Sequence, residues 1–190
     1  ACDLAVHSYR KSFFADGPVR VASARAGNVI GGGDWAEDRV VPDLARALAA
    51  GQPLMLRNPN AVRPWQHVLD PLGGYMLLAE SLARGVAGVD SAFNFGPDAA
   101  ATRSVRDVVE TALKTWPGSW SDGSDPGAPA EAGLLSLASD KARAVLGWRP
   151  RWNFENAVRH TIEWYRSVNN GAEPRETTLA QIAAFEKASA

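Results

Sequence analysis

Cysteine is almost missing from these 190 residues. Cys2 stands alone, so no disulfide can form within the chain, and this usage fits a reducing cytosol. An excess of either charge is missing too. Lys and Arg number 20 against 21 Asp and Glu, a net charge of −1, which excludes a broadly basic surface for nucleic acid or anionic membranes. A local basic pocket stays open. No apolar run approaches the roughly 20 residues of a membrane span, and no signal-peptide pattern opens the chain. The expected location is therefore the cytoplasm, with no nucleic-acid or membrane partner. Internal repeats are absent, no metal-ligand set stands out, and no Gly-x-Gly-x-x-Gly lies between a strand and a helix. Without that motif these residues lack the dinucleotide-binding half of a doubly wound fold.

Ordinary globular composition is what remains, with seven tryptophans that read as packing residues. Leu4, Ala5, His7, Tyr9, Phe13 and Phe14 have helical spacing with no cap before them, so the expectation is a piece of a longer protein entered in mid-helix. Val19 to Arg25 reads as a buried parallel strand and Asn28 to Trp35 as a glycine-rich loop. Val40 to Ala50 reads as a helix stopped by Gly51. Gln52 to Arg57 and Trp65 to Leu69 read as short strands. Asp70 with Pro71 reads as a cap opening a helix to about Ala83. Ser91 to Phe95 is a further strand, and Ser104 caps a helix with Val105, Val108, Val109, Ala112, Leu113 and Trp116 on one face. Pro117 to Gly133 reads as one long loop. Helices are expected after Asp140 and Asn153, and one from a capping box at Thr178 to Gln181.

Arg25-Ala-Gly-Asn-Val-Ile-Gly-Gly-Gly-Asp-Trp35 and Arg63-Pro-Trp-Gln-His-Val68 carry most of the functional signal. Open α/β sheets hold ligands at strand ends. A guanidinium at the entrance to a strand, with backbone N–H groups freed by glycines, suits a phosphate. By themselves Asn28 reads as a turn residue that tolerates unusual backbone angles and Arg39 as a solvated charge opening a helix. Arg63 offers a fork that cannot lose its charge; its structural alternative is a salt bridge, for instance with Asp70. His67 reads as a structural strand residue.

The run from Arg25 to Trp35, the Asp38 to Leu48 segment, Gly51 to Leu54, Arg63 to Glu80, Phe93 to Pro97 and Asp140 to Trp152 together resemble the CDP-glucose 4,6-dehydratases. These are extended short-chain dehydrogenases/reductases acting on sugar nucleotides. The resemblance covers nearly the whole chain in order. It implies an α/β fold: remnant Rossmann strands and helix over residues 1–30, and a small, mainly helical substrate-binding lobe over 31–190 whose segments 65–69 and 91–96 return to the sheet. It implies a lyase of deoxysugar biosynthesis, using NAD in the intact enzyme, with CDP-glucose or a related nucleotide sugar as partner and a homodimer or higher oligomer as assembly. It assigns Asn28, Arg39, Val40 and Arg63 to the substrate, Leu54, Met55 and Arg57 to the surroundings of the base, and Asn94 to the approach of the nucleotide. Glu131 lies in a loop that brings substrate contacts in relatives. Tyr9, Tyr75 and Tyr165 begin no Tyr-x-x-x-Lys. No catalytic residue is therefore expected in this piece, nor tight NAD binding or turnover. Another NAD-dependent sugar-nucleotide dehydratase or epimerase, a non-catalytic nucleotide-sugar module, and a poorly folding remnant stay open as alternatives.

Overall fold

Apolar spacing places the helices where the sequence suggests. A computed structural model describes residues 2–15, 17–98, 101–125, 127 and 135–188. Among them the order is α1 (Cys2–Phe13), β1 (Ser23–Ala26), β2 (Asn28–Ile30), α2 (Val40–Ala49), β3 (Leu54–Leu56), β4 (Val62–His67), α3 (Leu69–Ala83), β5 (Ala92–Phe95), β6 (Thr102–Ser104), α4 (Val105–Thr115), β7 (Trp120–Asp122), α5 (Asp140–Leu146), α6 (Phe154–Asn169) and α7 (Pro174–Lys187). The fold is mixed α/β. None of the described helices is long and apolar enough to cross a membrane.

The strands form three small groups. β1 pairs in parallel with β5; β2 pairs in parallel with β4, which pairs antiparallel with β6; β3 pairs in parallel with β7. Two apolar clusters follow. One joins β2, α2, β3, β4, α4 and α6 through Ile30, Leu44, Leu54, Trp65, Val108 and Ile162. The other joins α3, β5 and α5 through Leu78, Phe93, Phe95 and Ala142. Gln66, fully buried on β4, donates its Nε2 to the Phe95 carbonyl at 2.8 Å and so ties the two strand groups together. All of α1 stays out of both clusters: none of its residues is buried, and Leu4, Tyr9 and Phe13 are exposed.

Several local expectations change. β1 is half-exposed rather than buried, since β5 is its only described partner. Asn28 to Ile30 is strand, not loop, because its backbone finds β4. Part of the long loop, Trp120 to Asp122, becomes β7 for the same reason; residues 126 and 128–134, with Glu131, lie outside the described residues. Thr178 sits inside α7, which begins at Pro174 with Glu173 as N-cap. Its hydroxyl accepts from Trp164 Nε1 at 2.9 Å instead of capping a helix.

Asp70 is another correction. Helix α3 begins two residues earlier, at Leu69, with Val68 at the N-cap. The Asp70 carboxylate reaches across the chain and accepts the Arg151 backbone N–H at 2.6 Å, while its second oxygen is buried with no hydrogen-bond partner. Burial pushes its pKa up from 3.8 to about 6, against the pull of the Arg151 and Trp152 backbone N–H groups. The protonated acid is the form the fold prefers. Stability contributed there is complete below pH ~4 and is lost as pH rises through about 6. His67 acts in the opposite sense. Burial, and then the positive field of His160, push it down to about 3, so stability falls as pH drops from about 6.5 toward 3. Asp70→Asn keeps the acceptor and removes the charge. Its stability advantage should grow between pH 4 and 6 and level off at about 1–3 kcal/mol, measured by urea unfolding at several pH values. An advantage independent of pH would show that Asp70 does not titrate there.

Candidate functional site

Strand β2 borders its sheet, and five consecutive residues, Gly27 to Gly31, line a cleft of about 1250 Å³. β2 is an edge strand among the described residues, and its neighbour β4 lines the same cleft through the alternate residues Arg63 and Trp65. Helix α2 points its N-terminus at the same space: Arg39 is the N-cap, and Val40, Val41, Pro42 and Asp43 follow along the wall. Arg39 makes no side-chain cap bond, so its side chain satisfies none of the first-turn N–H groups. An uncapped helix start of this kind carries partial positive charge and suits an anion. The remaining wall includes all of β3, then Arg57, Asn58 and Asn60, then Arg63 and Trp65 of β4, and Ser124 and Asp125 past β7.

Asn28, Arg39, Val40, Leu54, Met55, Arg57 and Arg63 therefore share one cleft, although they come from five places in the sequence. Arg63 is the second residue of β4, at the starting end of the strand rather than the carboxyl end that strand-tip reasoning favours. Its Nη1 donates to the Val62 carbonyl at 2.9 Å, which helps fix the guanidinium. The proposed alternative partner, Asp70, is committed elsewhere. Asn94 is the residue the structure leaves out. Its amide donates to the Ala138 carbonyl at 3.0 Å, tying β5 to the segment before α5. His67 stands edge-on to Trp152 with ring centroids 4.7 Å apart, inside the packing and not on the cleft wall.

Charge in the cleft is more balanced than a positive pocket would be. Asp34, Asp38, Asp43 and Asp125 face the described wall with Arg39, Arg57 and Arg63. Arg39 pairs with Asp34 at 2.9 Å, Arg57 with Asp38 at 2.9 Å, and Asp43 with Arg46. The Arg39 and Arg57 pairs are largely exposed, and such pairs hold by ~0–1 kcal/mol, little enough for an incoming phosphate to exchange with a carboxylate. Asp34 has its pKa lowered by the Ala36 backbone N–H first and by Arg39. Asp38 takes a left-handed backbone at φ 63°, a conformation that aspartate tolerates better than most residues.

The glycine run divides its work. Gly31 lines the cleft; a Cβ there would stand 2.7 Å from Val68. At Gly32 a Cβ would stand 2.0 Å from the Trp164 ring, and Gly33 has φ +88°. The run is thus held by packing on α6 and by a turn. It does not lead directly into a helix, and it offers no cradle of the dinucleotide kind. The uncapped start of α2 and the strand β7 were missed in the sequence. Arg39-Val40 at a helix start, where Ser, Thr or Asp is usual, was the available signal for the first. For β7 there was none.

The model of the NAD dependent epimerase/dehydratase family matches residues 1–96. The chain is 38% identical over 179 residues to a CDP-glucose 4,6-dehydratase of Salmonella typhimurium, covering 90% of this chain and 49% of that protein. Among solved structures, a dTDP-glucose 4,6-dehydratase of Streptomyces venezuelae is similar at TM-score 0.69 and 24% identity, over 90% of this chain and 50% of its own. A UDP-glucose 4-epimerase of Thermotoga maritima is similar at TM-score 0.70 and 18% identity, over 87% of this chain and 51% of its own. The chain thus spans about half the length of these relatives.

Proposed function

This chain belongs to the NAD dependent epimerase/dehydratase family, and we propose that it holds the nucleotide sugar in a CDP-glucose 4,6-dehydratase, a lyase converting CDP-glucose to CDP-4-dehydro-6-deoxyglucose with loss of water. The observation that carries this reading is the convergence of Arg63, Arg39, Asn28 and the uncapped α2 start on one cleft. A diphosphate fits that set. It takes charge-assisted bonds from the two guanidinium groups and backbone N–H bonds from the helix start. The base then extends toward β3, where Leu54 and Leu56 are buried and Met55 is exposed beside Arg57, Asn58 and Asn60.

The described residues do not fit NAD. Their one glycine run packs on Trp164, and the chain has no Tyr-x-x-x-Lys to move a proton at the sugar. Their part in this reading is binding, orientation and the exclusion of water. NAD serves the whole enzyme through other residues, and α1, with Leu4, Tyr9 and Phe13 exposed, supplies a surface for self-association.

Calorimetry with CDP, UDP and dTDP tests the proposal. CDP should bind most tightly, and NAD with no comparable affinity. Tighter binding of UDP or dTDP would move the assignment to another sugar-nucleotide dehydratase or epimerase. Binding of none of the nucleotides would remove the cleft as their site.

A further inference from the structure

Three consecutive backbone carbonyls, beginning at Asp34 of the cleft wall, are each held by a side chain of α2 or α6. Tyr165 of α6, almost wholly buried, donates its hydroxyl to the Asp34 carbonyl at 2.5 Å. Arg46 of α2 donates Nη1 to the Trp35 carbonyl at 3.0 Å and Nη2 to the Ala36 carbonyl at 3.2 Å. Asp43 pairs with that same guanidinium and orients it. The Asp34 carboxylate closes the turn from within: it accepts the Ala36 N–H at 3.0 Å and receives Arg39 at 2.9 Å. Trp35 stands edge-on to Tyr165 with ring centroids 5.1 Å apart.

This turn leads straight into Arg39 and the uncapped start of α2. We propose that Tyr165 and Arg46 are positioning residues. They clamp the 34–36 turn so that Arg39 and the first N–H groups of α2 are set for the diphosphate before it arrives. The inference rests on the nucleotide-sugar reading of the cleft. Neither residue lines that cleft. Their effect runs through the backbone: a loop ordered in advance does not charge its ordering entropy to binding.

The test uses the whole chain with CDP as the probe, in Tyr165→Phe and Arg46→Gln. Tyr165→Phe keeps the ring and loses one hydroxyl; Arg46→Lys can reach only one carbonyl and should recover part of the loss. Each of the first two should weaken CDP roughly three- to tenfold and speed amide exchange at residues 34–38 without ligand. Val158→Ala, in the buried core of α6 away from the cleft, controls for stability and should lower the melting temperature without changing CDP affinity. Unchanged affinity and exchange in Tyr165→Phe and Arg46→Gln would overturn the clamp. So would an equal loss of affinity in Val158→Ala. If Arg63→Ala still weakened CDP in that case, the clamp alone would fall. If Arg63→Ala were also silent, the cleft reading would fall with it.

Discussion

Arg63→Ala should weaken CDP binding by roughly 1–3 kcal/mol, a loss of about five- to 150-fold in Kd. Arg63 is half-buried on β4 and lines the same cleft as Asn28 and the α2 start. Charge-assisted bonds formed there are less screened than those of Arg39 and Arg57, which stand more than half exposed. Arg63→Lys keeps the charge and loses the fork, so it should recover only part of the affinity. Cytidine, which has no phosphate, should bind the wild type and Arg63→Ala equally. Calorimetry at two salt concentrations checks all of this. Equal CDP affinity in wild type and Arg63→Ala would take Arg63 out of the site.

Gly32→Ala should be among the most damaging single substitutions of the loop. The added Cβ would overlap the ring of Trp164, which is itself buried and bonded to Thr178. Overpacking of this severity costs roughly 3 kcal/mol, which for a chain of this size lowers Tm by roughly 6–12 °C. Gly33→Ala meets Trp164 no nearer than 3.6 Å and is strained only by its φ of +88°, so it should cost about 1–2 kcal/mol. In a Trp164→Leu background, Gly32→Ala should cost much less than in the wild type, a coupling that a double-mutant cycle measures. Thermal melts showing Gly32→Ala as stable as the wild type would mean that the glycine serves something other than this packing.

Asn28, Arg39 and Arg63 stand out in the sequence because they lie in two short runs and at one helix start, whereas Leu54, Met55, Arg57 and Asn94 are singled out only by the resemblance. That all but Asn94 meet in one cleft was not legible from spacing. Asn94 shows the limit. The resemblance assigns it to the approach of a nucleotide, its other reading is a hydrogen bond tying strand to loop, and its amide donates to the Ala138 carbonyl, 44 residues away. The charge balance of the cleft is also decided by long-range pairing. Asp38 meets Arg57 only because the loop before α2 passes the end of β3.

Helices and most of their ends came from the sequence itself. Ser104 with Asp107, Asn153 and Gly147 act within a few residues of where they stand, and apolar periodicity selects the buried face of α4 and α6. Tertiary structure decided the rest. The Asp70 carboxylate reached the Arg151 backbone, β7 formed because β3 lay beside it, and Tyr165 found the carbonyl of Asp34 far along the chain. The physical reason is one of range. Caps and periodic faces are satisfied by neighbours along the backbone, whereas a buried carboxylate, a lone strand edge and a bare carbonyl find their partners only after packing has chosen which segments meet.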